Sequence, residues 1–275
     1  KLIQNNEGFN LINLSELRFF LHEINQFDEA YTISPAVWNN AKKQFFERYK
    51  NSTQFEVCKN LIKDFEAGNN KIKYKSDLEV FIRESKIEDF IKEKSDTILV
   101  STIHKAKGKE FDNVFLLLEN FDNTDDRKKR QLYVAMTRAK NCLNIHLNDS
   151  FLDHIQVQEI ERIENKNHFL PPDTITIQLT HRDLYLGYFE YVQNRIYSLT
   201  SGDSLKCKGD ACYNENDEMV LKFSNSFLSR LVTLQNRGFV VQQVKVNYIL
   251  YWKNEEKNKV VQIVLPEIVL VKGEG

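Results

Sequence analysis

The segment with the densest set of reactive side chains runs from residue 100 to residue 111, Val-Ser-Thr-Ile-His-Lys-Ala-Lys-Gly-Lys-Glu-Phe. A strand-like stretch there brings a hydroxyl, an imidazole, a lysine, a glycine and a glutamate onto one loop, at Thr102, His104, Lys105, Gly108 and Glu110. Because glycine lets the backbone approach a ligand closely, such a loop can hold phosphate on one side and a sugar hydroxyl on the other. The alternative is a solvated polar loop between two strands.

A second charged segment follows at residues 130–140, Arg-Gln-Leu-Tyr-Val-Ala-Met-Thr-Arg-Ala-Lys. On a helix, Arg130, Val134 and Arg138 share one face because each lies four residues from the next. The Leu, Met and Ala side chains between them can pack inward. A run of charge is usually a solvated face, but a Tyr-x-x-x-Thr-Arg-Ala pattern that enters a buried strand is more constrained than solubility requires.

Together the two segments resemble motifs V and VI of superfamily 1 DNA helicases of the UvrD/Rep/PcrA group, whose patterns run roughly T-x-H-x-x-K-G-x-E-F and R-L-x-Y-V-A-x-T-R-A. The order and separation of the segments match as well. Two positions depart from the patterns: Lys109 stands where the group has Leu after the glycine, and Gln131 where it has Leu early in motif VI. We therefore predict that this chain is the C-terminal part of such a helicase.

The resemblance assigns DNA contacts to the first segment. Thr102 and His104 match the residues that contact the backbone of single-stranded DNA, which positions the strand without reading its sequence. Lys105, beside them, is expected to meet phosphate. Lys107 stands where helicases of the opposite polarity, the RecD-like group, tend to have Gln. The resemblance therefore implies single-stranded DNA as a partner and 3′-to-5′ translocation.

The same resemblance assigns nucleotide contacts. Gly108 and Glu110 match the part of motif V that approaches the nucleotide, with Glu110 at the ribose. Arg138 matches the catalytic arginine finger of motif VI, which neutralises charge developing on the γ-phosphate. Arg130, on the same helix face, is a weaker match for a nucleotide-binding residue. The implied cofactors are ATP and Mg²⁺, and no residue of this chain is predicted to bind a metal.

The phosphate-binding half of such a motor is not found in this sequence. Its 275 residues contain no G-x-x-x-x-G-K-[ST] pattern, and no acidic motif for Mg²⁺ is identifiable. Because the chain opens on Lys1 rather than on an initiator Met, we expect an N-terminal RecA-like domain of the same protein to bind most of the ATP and Mg²⁺. The chain alone is expected to be inactive as an ATPase.

The contrasting hypothesis is a non-enzymatic nucleic-acid- or protein-binding module derived from a helicase. The intact Thr-Arg-Ala and Lys-Gly-x-Glu-Phe patterns argue against such decay. A phosphate-binding loop upstream of Lys1 would favour the enzyme, and its absence from the full-length gene would favour the module.

The elements that must position these residues follow from the hydrophobic pattern. Strand-like segments at 97–101, 114–118 and 143–147, with a helix at 125–140, alternate in an order that predicts an α/β layer. The unbroken apolar run at 114–118 predicts a strand buried on both faces, as in a parallel sheet covered by helices. The expected fold is a second RecA-like helicase domain.

We predict that this RecA-like domain spans residues 1–152 and contains a helical insert at about 33–95. A strand at Phe9–Leu14 and a helix capped by Ser15 belong to the domain by topology. Residues 153–172 are expected to form a linker, because the two consecutive prolines near its end cannot continue a helix or a sheet.

Residues 173–275 are predicted to form a small β-rich, barrel-like domain, because β-branched and aromatic segments recur there between Gly, Asn and Asp turns. One helix, at 225–237, interrupts the strands. The start of this region, Leu-Thr-His-Arg-Asp-Leu-Tyr, resembles C-terminal extensions of bacterial helicases that have no established activity. Its aromatic and basic residues could stack on and neutralise nucleic acid, although aromatics at helical spacing are more often core: Arg182, Tyr185, Tyr188, Tyr191 and Arg195. A protein partner for this domain is also left open.

Composition bounds the remaining classes. Lys and Arg number 38 against 39 Asp and Glu, a net charge of -1, so any nucleic-acid site must be local. The four cysteines lack the paired spacing of a zinc site and are expected to be reduced thiols. No apolar run approaches the ~20 residues of a membrane span. A cytoplasmic protein with no membrane partner is expected.

Overall fold

The structure of this chain is a computed structural model. It describes residues 2–4, 9–26, 30–90, 98–104, 106, 108–122, 124–156, 160–166, 172–255 and 257–273. The strands are β1 (Leu2–Gln4), β2 (Thr32–Ile33), β3 (Lys73–Tyr74), β4 (Ile98–Val100), β5 (Phe111–Leu118), β6 (Ala139–Leu147), β7 (Thr174–Gln178), β8 (Ser204–Lys208), β9 (Ala211–Tyr213), β10 (Met219–Lys222), β11 (Phe239–Asn254) and β12 (Lys259–Lys272). The α-helices are α1 (Ser15–Asn25), α2 (Pro35–Tyr49), α3 (Phe55–Gly68), α4 (Lys75–Glu84), α5 (Ile87–Phe90), α6 (Asp126–Met136), α7 (Gln193–Ile196) and α8 (Asn225–Gln235).

The chain divides into two compact units. Unit 1 comprises residues 1–7 and 93–169, and unit 2 comprises residues 8–92 and 170–275. Unit 1 carries both of the chemistry-bearing segments. Both units are discontinuous in sequence, because residues 93–169 of unit 1 lie between the two parts of unit 2.

Unit 1 is built on parallel strand pairs. β1 pairs with β4, and β5 pairs with β6. Helix α6 connects β5 to β6 and packs Leu132 and Ala135 against Leu116 and Leu118 of β5. A parallel pair needs a crossover connection, and α6 with its flanking loops supplies it.

The second face of β5 differs from the prediction of a strand buried on both sides. Leu116 and Leu118 are buried, but Phe115 and Leu117 between them are 64% and 80% exposed. Side chains alternate between the two faces of a strand, so α6 covers only the face that carries the even-numbered residues. An apolar run in the sequence predicts that a strand is buried. It does not show which element of the described chain packs against each face.

The helical part of unit 2 follows its sequence signals. Ser34 caps α2, its hydroxyl accepting a hydrogen bond from the Val37 backbone N–H at 3.2 Å, and Pro35 is the first helical residue. Each of α1 to α4 buries a stripe of apolar side chains at three- and four-residue spacing. Within the predicted helical segment at 33–95, the described residues form α2 to α5, with the short strand β3 between α3 and α4.

The start of unit 2 corrects the predicted strand at Phe9–Leu14. Residues Leu11–Asn13 form a single 3-10 turn, because the Asn10 side chain accepts the Ile12 backbone N–H at 3.1 Å. Leu14 makes only an isolated antiparallel bridge, to Leu250. Ser15, predicted as the helix cap, is instead the first residue of α1, and its hydroxyl turns to the next side chain.

That next side chain, Glu16, is fully buried in the first turn of α1 and accepts three hydroxyl hydrogen bonds. Ser15 donates at 2.9 Å, Ser52 at 2.7 Å and Ser201 at 2.9 Å. The positive end of the helix dipole also favours an acidic group at this position. One carboxyl group therefore joins three segments that are far apart in sequence.

The C-terminal part of unit 2 contains a six-stranded antiparallel sheet in the order β10-β9-β8-β11-β12-β7. Its backbone is the long hairpin of β11 and β12, with 16 and 14 residues. Helix α8 ends before Gly238, which has φ +87°. That conformation favours glycine and ends the helix.

The aromatic residues near 185–191, whose helical spacing favoured a core position, lie in short turns rather than in one long helix. 3-10 helices span His181–Asp183 and Leu186–Tyr191. Phe189 is fully buried, whereas Tyr185 and Tyr191 are 59% and 80% exposed. The prediction that these aromatic residues belong to the core is therefore correct for Phe189 and wrong for Tyr185 and Tyr191.

The helices and the sheet of unit 2 share one hydrophobic core. Phe20, Trp38 and Phe65 belong to the same buried cluster as Val264 and Ile268 of β12. Gln54 donates to the Asn247 carbonyl at 3.1 Å, and the Thr53 backbone N–H to the Ser201 carbonyl at 3.0 Å.

The predicted domains were 1–152 and 173–275. In the structure, the helical segment packs with the β-rich region and belongs to the same unit. The apolar stripes on α1 to α4 predict that one face of each helix is buried. They do not show which other element packs against that face. The predicted linker retains residues 160–166 without helix or strand, while 157–159 and 167–171 lie outside the described residues. The fold class itself, parallel α/β followed by a β-rich region, is confirmed.

Candidate functional site

The loop between β4 and β5 is held by its own backbone. The Thr102 carbonyl accepts the Ala106 backbone N–H at 3.2 Å, and the Ala106 carbonyl accepts the Lys109 backbone N–H at 3.1 Å. These two bonds occupy the main chain and leave the side chains of Thr102 and His104 exposed. The loop thus presents a hydroxyl and an imidazole to solvent directly after a parallel strand.

Gly108 has a conformational role in this loop. Its φ is +82°, in the region that residues with a Cβ atom rarely adopt. Among the residues that the structure describes, and apart from its chain neighbours, no heavy atom lies within 4 Å of a Cβ atom built there. Glycine is therefore required by the backbone turn, and the open space beside it leaves room for a ligand to approach.

Helix α6 contains the first part of the second segment, residues 130–136, and ends within that segment. The Asp125 side chain caps its start by accepting the Arg127 backbone N–H at 2.7 Å. At its end, the Thr137 backbone N–H donates to the Tyr133 carbonyl at 3.0 Å. The predicted helix at 125–140 is thus shorter, because Ala139 already begins β6.

Arg138 stands at the junction of α6 and β6, with its guanidinium held by three hydrogen bonds. Nε donates to the Val134 carbonyl at 2.9 Å, Nη1 to the Lys109 carbonyl at 3.3 Å and Nη2 to the Thr137 hydroxyl at 3.1 Å. Arginine has five N–H donors, so two remain for another acceptor. The side chain is half-buried, which fixes the direction of those donors.

Two further contacts join the loop to α6 and β6. His104 and Gln131 approach at 3.0 Å between their Nε2 atoms, and Lys140 lies 3.6 Å from Glu110. In the sheet register, Phe111 stands opposite Ala139. The two sequence segments therefore meet along one edge of unit 1, as expected if they act together.

The family comparison decides what this arrangement belongs to. The UvrD-like helicase C-terminal domain family matches residues 13–150, which is 138 of the 275 residues. The chain belongs to the UvrD-like helicase C-terminal domain family. The predicted resemblance is thereby confirmed. No curated protein and no solved structure matches the chain.

The match to the UvrD-like helicase C-terminal domain covers both segments and the helical part of unit 2, and it stops at residue 150. The six-stranded sheet lies beyond it. Gln131, which departs from the family pattern, is the α6 residue that reaches His104. Sequence reasoning noticed this departure and missed its contact, because the two residues are 27 positions apart.

Arg130 of the predicted site takes part in none of these contacts in the helicase domain. The Arg130 guanidinium is exposed and makes no hydrogen bond or ion pair with any of the described residues. Lys105 and Lys107 lie outside the described residues. Across the residues that the structure describes, no group of three His, Cys, Asp or Glu side chains is arranged to hold a metal, and no helix is long and apolar enough to cross a bilayer.

Proposed function

We propose that this chain is the C-terminal motor half of an ATP-dependent, 3′-to-5′ DNA helicase, in which Arg138 is the arginine finger. The observation that carries the proposal is the guanidinium of Arg138, which is bonded to the Lys109 carbonyl at 3.3 Å and so ties motif VI to motif V. A side chain that couples the nucleotide state to DNA binding must contact both motif V and motif VI.

The chemistry of the finger follows from the donors that remain on Arg138. Phosphoryl transfer spreads negative charge over the γ-phosphate oxygens, and a preorganised guanidinium stabilises that charge without reorganising. The bond from Nε to the Val134 carbonyl aligns the group with α6. Nη1 and Nη2 each keep one N–H, which suits two oxygens of one phosphate.

Residues of this chain can supply part of the contacts that ATP and Mg²⁺ need. Arg138 supplies a charged donor pair, Gly108 open backbone, and Glu110 an exposed carboxylate suited to a ribose hydroxyl. Arg130 is exposed on the same helix and free to meet phosphate. When bound, Mg²⁺ neutralises phosphate charge, and we assign its ligands to a partner N-terminal RecA-like domain.

Single-stranded DNA is proposed to pass over the exposed side chains of Thr102 and His104. Both follow β4 directly, and both carry polar side-chain atoms of the kind that position a phosphate backbone. The Gln131 contact holds the His104 ring at 3.0 Å and can orient it toward the strand. Lys105 remains a proposed phosphate contact on sequence alone.

The isolated chain is expected to show no DNA-stimulated ATP hydrolysis. An arginine finger stabilises charge on a phosphate that another domain must hold, so Arg138 alone has no bound substrate. Phosphate release from the purified 275-residue chain, measured with and without oligonucleotide, should equal that of the Arg138→Ala variant. Turnover that is lost in that variant would contradict the proposal.

Replacing both Thr102 and His104 by Ala in the full-length helicase is expected to weaken single-stranded DNA binding roughly 10–30-fold, since two solvent-exposed hydrogen bonds contribute about 1 kcal/mol each. The loss should be equal for unrelated sequences, because backbone contacts carry no sequence information. Fluorescence anisotropy with several oligonucleotides measures both.

The matched control for this DNA experiment is the Thr124→Ala, His154→Ala variant, which removes an exposed Thr and an exposed His outside both segments. Its affinity should stay within twofold of the wild type. A loss confined to one oligonucleotide, or an equal loss in the control, would show that the loop does not track the DNA backbone.

A further inference from the structure

The hairpin of β8 and β9 places two cysteines directly opposite each other. Cys207 and Cys212 are partners in the antiparallel register, between the pairs Lys206–Tyr213 and Lys208–Ala211. Their Sγ atoms lie 2.6 Å apart. Cys58 is buried elsewhere in unit 2 and Cys142 lies in unit 1, so this is a specific pairing of two of the four thiols.

The backbone here meets the geometric demand of a disulfide. Opposed residues on antiparallel strands have Cα atoms about 4.5–5.5 Å apart, within the ~4.4–6.8 Å that a disulfide spans. Gly209, with φ +61°, turns the chain between the strands and fixes the register. Only a small side-chain movement is needed to bring the sulfur atoms to bonding distance.

The two thiols differ in their access to solvent. Cys207 is half-buried, whereas Cys212 is fully buried. Burial raises the pKa of the Cys212 thiol well above its usual range, and the hydrogen bond with Cys207 raises it further. An external reagent therefore reaches Cys207 first, because Cys207 is the more accessible thiol. Cys212 is the second thiol, which can react only with Cys207.

We propose that Cys207 and Cys212 are an oxidisable dithiol that closes a reversible intramolecular disulfide by exchange with a small-molecule disulfide such as oxidised glutathione. The Cys207 thiolate attacks one glutathione sulfur, forming a mixed disulfide and releasing one glutathione thiolate. Cys212 gives up its proton to that thiolate and attacks the Cys207 sulfur, which expels the second. Two protein thiols are oxidised by two electrons, and one glutathione disulfide is reduced to two thiols.

The test uses the purified chain in buffers of graded reduced-to-oxidised glutathione ratio, quenched with an alkylating agent. The Cys142→Ser variant serves as the main sample, because the exposed Cys142 forms mixed disulfides that complicate thiol counting. Trypsin cleaves after Lys206 and Lys208 and so separates Cys207 from Cys212. The bond then links peptide 207–208 to peptide 209–222 in non-reducing mass spectra.

In oxidising buffer, the expected result is loss of two of the three thiols of this variant, a monomer that carries the linked peptides, and full recovery with dithiothreitol. Cys207→Ser should abolish the link, and it replaces a half-buried side chain, so the fold is retained. Full alkylation of Cys207 and Cys212 throughout the series, or linked peptides found only in covalent dimers, would overturn the proposal. The outcome is independent of the helicase activity.

Discussion

Replacing Arg138 by Ala in the helicase that contains this chain is expected to lower DNA-stimulated ATP turnover by about three orders of magnitude, the usual scale for an arginine finger. In the proposed role, the guanidinium stabilises charge that develops only in the transition state, so kcat should fall while ATP affinity holds. Steady-state phosphate release with nucleotide-binding titrations separates the two effects. The loss corresponds to about 4 kcal/mol of transition-state stabilisation.

The control for Arg138 is Arg127→Ala, which removes an exposed arginine from the first turn of the same helix. It should retain nearly full turnover. Arg138→Lys should recover little activity, because one ammonium group cannot replace the Val134, Lys109 and Thr137 bonds and still offer two donors. If nucleotide affinity collapsed at unchanged kcat, Arg138 would be a ground-state ligand instead.

Glu16→Ala is expected to lower the free energy of unfolding of unit 2 by about 3 kcal/mol or more, because each of the three buried hydroxyl groups that lose their acceptor costs about 1–3 kcal/mol. The carboxyl group accepts from Ser15, Ser52 and Ser201, and all four side chains are at most 7% exposed. Its removal leaves three buried hydroxyls without their acceptor. Both Trp residues of the chain, Trp38 and Trp252, lie in unit 2.

Urea unfolding followed by tryptophan fluorescence therefore reports this unit. Glu47→Ala on α2, whose side chain is 60% exposed, is the matched control and should change stability by less than about 0.5 kcal/mol. Glu16→Gln keeps one oxygen acceptor and should fall between the two. Equal midpoints for Glu16→Ala and the control would show that the serine cluster does not hold unit 2 together.

The elements of unit 1 could be predicted from sequence because their signals are local. An apolar run marks β5, and a Tyr-x-x-x-Thr-Arg-Ala pattern marks the end of α6. The boundaries moved by a few residues, since β6 begins at Ala139 and takes the last turn of the predicted helix into the sheet. Pairing with Phe111 overrides helical propensity there.

What sequence could not give are contacts between distant residues. Glu16 reads as an ordinary acidic residue in a first helical turn, and nothing local relates it to Ser201, 185 positions away. The four cysteines lack the spacing of a zinc site and were expected to be reduced thiols, because the pairing of Cys207 with Cys212 depends on a hairpin register. For the same reason Gln131 appeared as a lost Leu rather than as a partner of His104.

The shared core of unit 2 has a consequence for how the chain emerges from the ribosome. Helices α1 to α5 are complete at residue 90, but the strands that cover them begin at residue 174. At synthesis rates of about 5–20 residues per second, the helices wait roughly 4–17 s for that cover. During this interval Phe20 and Phe65, fully buried in the finished protein, lack their partners from β11 and β12. The nascent helical segment is thus expected to expose apolar surface of the kind that chaperones bind, whereas unit 1 has all of its residues by position 169.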